Sequence, residues 1–313
     1  MNFLHEFIKH SCACHVLFML ACNSKLMKKS HIKQCYTELL WCFPLIFYAI
    51  DANAWGLYTH LFFSQYLLLS TPLLDPKIQA AIKRFPKLVL AGACLPDLAV
   101  VAKAFNSTHH WQKAEQMMQN AISDEEIAIA VGYNSHLFVD VIAHNHFVPA
   151  HEAKWAHISL LSKSVTAHIT SEWAMDAHLN KQVAHCPHHL ILSNLDVLSQ
   201  FIAPYFEVSI AHAKRQLRFL AWADGLLRVT QLSTIMLWAL KMSDGEFIKN
   251  CDYYVSKTSH ALAHFEQSLQ GNRPNWQPEL NHFSAAEMLV WREQCLQDLI
   301  KRLATPIHFY AAK

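Results

Sequence analysis

Six glycines among 313 residues constrain this chain more than any other feature. That is about 2% of the chain, where ordinary usage is near 7%. Glycine-rich phosphate loops, dinucleotide-binding turns and tight hairpins all need residues at positive φ or a close backbone approach. The chain is therefore poor material for a Rossmann domain, a P-loop enzyme or a turn-rich β-sandwich, and helices remain. Hydrophobic residues make up 53% and charged residues 16%. This excludes disorder and leaves ample material for a core. A net charge of +2 carries no nucleic-acid footprint.

Residues 1–54 differ from the rest. They hold five of the nine cysteines (Cys12, Cys14, Cys22, Cys35, Cys42) and an excess of lysine, and the chain beyond them is formally neutral. Met27-Lys28-Lys29 reads as a second start (Met27) followed by a basic segment. The apolar run Leu39–Ile50 comes next, and then Ala52-Asn53-Ala54. That is the three-part pattern of a secretory signal peptide, with cleavage after Ala54 and a mature chain beginning at Trp55. The apolar run, about a dozen residues, is too short to span a bilayer as a helix. Export to a periplasmic or secreted location would put Cys94, Cys186, Cys251 and Cys295 in an oxidising space. There, up to two bridges and free thiols are both open.

From 55 to 313 the pattern predicts one all-α, multi-helix domain, with 3.6-residue periodicity and no internal repeat. Helices are expected over Leu57–Leu74, Ile78–Phe85, Leu88–Val101 (broken at Pro96-Asp97), Trp111–Ile122 and Ala153–Leu179. Ser123 and Glu126 form a capping box that opens a long apolar helix through Ile142. Further helices are expected over Leu190–Phe206, Val208–Leu220, Ala223–Met242, Asp244–Leu269 and Ala285–Leu303, with a loop at Gln270–Pro274.

The chain holds 22 histidines, a reason to look for metal ligands. His136 and Asp140 stand i,i+4 in the apolar helix, where an unpaired carboxylate would be costly. His146 follows Asp140 by six residues, with His144 competing for the same role. His168 and Glu172 form a second i,i+4 pair. Upstream lie His60, Asp97 and the adjacent His109 and His110. Singly, each is ordinary in a helical core. Together they supply imidazole and carboxylate ligands for more than one zinc-like ion.

In this order the residues resemble the bacterial zinc-dependent phospholipases C, whose trinuclear zinc site is shared with single-strand-specific nucleases. The likeness covers roughly residues 55–179. It runs from Trp55 at the new terminus through His60, Pro96-Asp97, His109 or His110, His136-x-x-x-Asp140 and His146 to His168-x-x-x-Glu172-x-x-x-Asp176. It implies an all-α fold and three Zn2+ ions. One would be held by Asp97, His109 or His110, His136 and Asp140. A second would be held by the α-amine and carbonyl of Trp55, His60 and a bridging Asp140. The third would be held by His146, His168 and Glu172. The six-residue step from Asp140 favours His146 over His144. His151 and His157 fall in a long gap before His168. Residues 180–313 would complete the bundle.

The resemblance further implies a phosphodiesterase in which Asp97 orients or deprotonates the attacking water. The expected substrate is a phospholipid, met transiently at a membrane surface. A single-stranded nucleic acid is the alternative, cut by the same metals. Phe62, Phe63, Tyr66, Trp111, Phe138, Phe147 and Trp155 are candidates for an apolar rim or a base-stacking surface, or for plain core. A reading of another class, a non-catalytic histidine-rich metal-binding protein, rests on further histidines such as His185, His188 and His189.

Overall fold

The structure is a computed structural model that describes residues 56–70, 73–158, 161, 164–278 and 283–302. The signal-peptide segment, Met27, Ala54 and Trp55 lie outside the described residues. Helices are the only regular secondary structure among the described residues, which contain no strand. The helices are α1 (Leu57–Ser70), α2 (Pro76–Arg84), α3 (Pro86–Gly92), the short α4 (Leu98–Val101), α5 (Trp111–Asn120), α6 (Asp124–Ile142) and α7 (Val148–Lys154). Then come α8 (Ser164–Leu179), α9 (Pro187–Ser193), α10 (Leu195–Ile202), α11 (Ile210–Val229), α12 (Leu232–Ser243), α13 (Phe247–Ala261), α14 (Phe265–Leu269) and α15 (Ala285–Ile300).

The central element is α6. Ser123 accepts from the backbone N–H of Glu126, and the Glu126 side chain accepts from that of Ser123, so the capping box is complete. With the turns that follow, a helical run extends from Asp124 to Lys154. It is apolar and long enough to cross a membrane, yet its most apolar stretch is wholly buried in the fold. Helices α1, α2, α3, α5 and α14 wrap α6, while α8 packs along α12 and α15 packs on α7.

Two glycines set the closest crossing. A Cβ on Gly132 would stand 2.0 Å from the carbonyl oxygen of Val89, and one on Gly92 would stand 2.3 Å from that of Ile129. Because neither exists, the backbones of α3 and α6 meet directly. A buried hydroxyl pair, Ser64 with Ser135 at 2.8 Å, fixes α1 against α6 in the same region.

Between α6 and α7 the helix widens into a π turn, Ala143–Phe147, where the N–H of Val148 bonds to Ala143 O. The sequence supplies the cause. Residue 149 is proline, which offers no N–H to the carbonyl of Asn145 four residues back and crowds it sterically.

Some boundaries differ from the sequence pattern. The expected helix Ala153–Leu179 is two helices. Lys154 and the buried Trp155 are tied by hydrogen bonds to Asp244, and this anchor ends α7 before α8 begins. Residues 210–229 form one helix, and the break falls at Gln231, whose φ is 55°. The four cysteines Cys94, Cys186, Cys251 and Cys295 are free thiols.

Candidate metal centre

Helix α6 presents His136 and Asp140 on one face, both with no exposed surface. His136 lies one turn beyond Gly132, so the close crossing brings the carbonyl of Ala93, just past α3, within 2.7 Å of its Nδ1. Nδ1 therefore carries the proton, and Nε2 of the neutral ring turns a lone pair inward. His109 is prepared in the same way. Thr108 Oγ1 donates to Pro96 O at 2.6 Å, so it can only accept from His109 Nδ1, 3.3 Å away. Its Nε2 then also points inward, 3.3 Å from Nε2 of His136. Two lone pairs facing each other at that distance need a cation between them, a proton or a metal.

Other elements converge on the same point. From α1, His60 stacks on His136 with ring centroids 3.5 Å apart, and its Nε2 is 3.3 Å from Asp140 Oδ1. Asp97, at the head of α4, places Oδ1 3.8 Å from His136 Nε2. His136 and His109 lie 2.9 and 3.4 Å from Asp140 Oδ2. Beyond Asp140, His144 Nε2 is 3.5 Å from Oδ1, while its Nδ1 is 3.7 Å from Glu172 Oε1. On α8, His168 Nε2 is 2.9 Å from Glu172 Oε1.

Three triplets result: His60, His136 and Asp140; Asp97, His109 and His136; His144, His168 and Glu172. Within each triplet the ligand atoms lie within 4.8 Å of one another. Ligand atoms around a tetrahedral zinc with bonds of about 2.0–2.1 Å stand about 3.3–3.4 Å apart, close to most of these spacings. Both oxygens of Asp140, Oδ1 of Asp97, Oε1 of Glu172 and Nε2 of His168 are buried and make no well-aligned hydrogen bond. Acceptors of this kind are costly in a core unless a cation satisfies them. The donor set fits zinc.

The electrostatics agree. Burial pushes the Asp140 carboxyl up, but His136, His60 and His144 outweigh it and hold it well below the ordinary carboxylate range. Burial lowers His136, yet Asp140 and Asp97 outweigh that and raise it. Burial, with His136 beside it, keeps His60 well below its usual value. Asp97 is pushed up to about 8 by burial, with His136 opposing and Asp140, Glu172 and Asp176 reinforcing. A bound divalent cation would reverse the balance at Asp97 by favouring the anion.

Two of the histidines expected as ligands lie apart from the triplets. His110 is exposed at the start of α5, whereas its neighbour His109 is buried and stands with Asp97 and His136. His146, favoured by the six-residue step, stands outside the third triplet, where His144 lies with His168 and Glu172. Through the opening of the π turn, His144 at i+4 stays on the face of Asp140, and His146 at i+6 turns away from it. His146 instead sits buried beside Trp276 and Trp291, and burial lowers its pKa to about 3. Among the described residues, His151, His157, His185, His188 and His189 belong to no triplet.

Residues 59–216 match the family described as zinc dependent phospholipase C. The chain belongs to that family. Comparison with curated proteins and with solved structures gave no match. The span matched to the zinc-dependent phospholipases C includes every residue of the three triplets and ends within α11.

Several supporting residues carry no signal in spacing. Thr108 and the Ala93 carbonyl orient imidazoles. Asp176 is not a ligand in any triplet. Its Oδ1 accepts from the backbone N–H of Thr59 at 2.8 Å and so caps the start of α1, next to His60. Arg228 pairs with both Asp176 and Asp224. Pro149 is the readable sign of the π turn around His144.

Proposed function

We propose that this protein is a phospholipase C that hydrolyses glycerophospholipids to diacylglycerol and a phosphorylated head group. The reading is carried by one observation: three histidine–carboxylate triplets, buried except at His168 and joined through Asp140, in a zinc-dependent phospholipase C family. His60, Asp97, His109, His136, Asp140, His144, His168 and Glu172 would hold three zinc ions, with the α-amine of Trp55 completing the site at His60. Bound there, zinc supplies Lewis acidity, making water nucleophilic near neutral pH and offsetting charge that builds on phosphoryl oxygens.

The chain's own groups do the rest. Asp97 orients the attacking water and takes its proton. The imidazoles, locked by Ala93 O and Thr108, do not reorganise as charge develops. His168 is the most exposed ligand, with 14% of its side chain accessible, so the phosphodiester enters from its side. Water attacks phosphorus, the bond to the glycerol oxygen breaks, and that oxygen leaves as the diacylglycerol hydroxyl with the proton given up by the water.

Phe63, Trp111, Phe138, Phe147 and Trp155 are core residues and form neither an apolar rim nor a stacking surface, and Phe62 and Tyr66 are half-buried against the core. One feature favours a lipid over a nucleic acid. Helix α12, packed along α8, turns Ile235, Trp238 and Met242 outward, and its only charged residue is Lys241. The protein would act after export, at a periplasmic or extracellular membrane surface. Zinc-loaded protein incubated with phosphatidylcholine vesicles or with single-stranded DNA, and followed by phosphorus NMR, tests this. Phosphocholine should appear. Nucleotide release without phosphocholine would transfer the site to the nuclease reading, and neither product would favour a non-catalytic metal-binding protein.

A further inference from the structure

Among the helices that follow the matched span, α12 packs along α8, and α13 and α15 reach the π turn beside His144. Because residue 149 is proline, the carbonyl of Asn145 has no helical i+4 donor. It accepts instead from Trp291 Nε1 at 2.7 Å and from Cys295 Sγ at 3.3 Å, both on α15. The side-chain amide of Asn145 donates to Gln277 O at 2.9 Å, and Tyr254 Oη donates to His146 O at 3.3 Å. Thus the residues immediately after His144 are tied at three points to segments more than a hundred positions away. None of those partners lies within 59–216.

We propose that Trp291 is a positioning residue for the metal centre: by holding the Asn145 carbonyl it fixes the π turn that aims His144 at Asp140 and Glu172. A widened helical turn has poorer internal hydrogen bonding than an α-helix and keeps its shape only where neighbours satisfy its carbonyls. Without the indole N–H, the turn relaxes and His144 loses its place between the two carboxylates. The C-terminal helices are on this account part of the site's scaffold and not only a completion of the bundle. The inference rests on the reading of His144, His168 and Glu172 as a zinc site.

The test is Trp291→Phe, which keeps a ring in place and deletes the donor. Zinc affinity is read by competition with a chromophoric chelator on the full chain, beside wild type, His144→Ala and Trp276→Phe. Supporting groups of this kind are worth about 10–100-fold in metal affinity. One ion should bind at least about 10-fold more weakly in W291F, the same ion that H144A loses. W276F should bind like wild type, and the zinc-free melting temperature of W291F should stay near that of wild type. Asn145→Ala, which deletes the tie to Gln277, should weaken the same ion and serves if W291F does not fold. Wild-type affinity in both variants, or equal weakening of every ion, would overturn the proposal while leaving the zinc reading intact. A wild-type protein that binds no zinc would overturn both.

Discussion

Nε2 of His144 stands 3.5 Å from Oδ1 of Asp140, and this contact joins the α8 triplet to the two triplets around His136. It assigns distinct outcomes to two histidines that differ by two positions. His144→Ala should lose about one zinc ion per chain. His146→Phe should keep the full complement, because His146 packs against tryptophans and ligates nothing in the triplets. Metal analysis of the two purified variants reads this directly, and loss of an ion from the His146 variant alone would reverse the assignment.

The crossing of α3 and α6 depends on the missing Cβ of Gly132. Gly132→Ala would drive a methyl into the Val89 carbonyl, with its contact at 2.0 Å. Overpacking of this kind costs about 1–3 kcal/mol. The same shift moves Ala93 O away from His136. Chemical denaturation should therefore show lower stability, and zinc affinity should fall with it. Unchanged stability would mean that the helices separate freely.

Arg228 compensates a fully buried Asp176 that caps α1. Arg228→Met leaves that carboxylate without its cation, a change worth about 3–5 kcal/mol when a buried pair is broken from one side. Since α1 carries His60, the variant should also hold zinc less tightly. A loss of stability with wild-type zinc affinity would show that the cap does not position His60.

Acid should destabilise the zinc-free protein partly through His151. Burial lowers its pKa to about 4 in the fold, against about 6.5 in an unfolded chain. Between those values the unfolded chain holds the proton and the native state does not, so stability falls as pH falls. The slope is about 1.4 kcal/mol per pH unit at most. Urea unfolding of chelated protein between pH 7 and 4 should show a shallower slope for His151→Leu. Parallel curves would mean that His151 is protonated in the fold.

What is legible in the sequence depends on the range of the interaction. The all-α class follows from glycine scarcity and 3.6-residue periodicity, and the start of α6 from Ser123 and Glu126, because all of these are local. The pairs His136–Asp140 and His168–Glu172 are legible for the same reason, since a helix puts i and i+4 on one face. The i+4 argument also selects His144, against the six-residue step that points to His146, and Pro149 marks the turn that carries both. His109 and His110 are adjacent, and only the tertiary position of Thr108 and Pro96 separates them. The roles of Asp176 with Arg228 and of Trp291 with Asn145 join segments far apart in the chain, where spacing says nothing.

The proposed function ties phospholipid hydrolysis to zinc held by the triplets around Asp140. The most direct measurement returns zinc stepwise to chelated protein and follows diacylglycerol release from phosphatidylcholine vesicles at each step. No release is expected from the metal-free protein, with recovery as the sites fill and little recovery in Asp97→Asn although most of its zinc is bound. Release at an undiminished rate in excess chelator, or full zinc binding with no diacylglycerol formed, would contradict the proposed function.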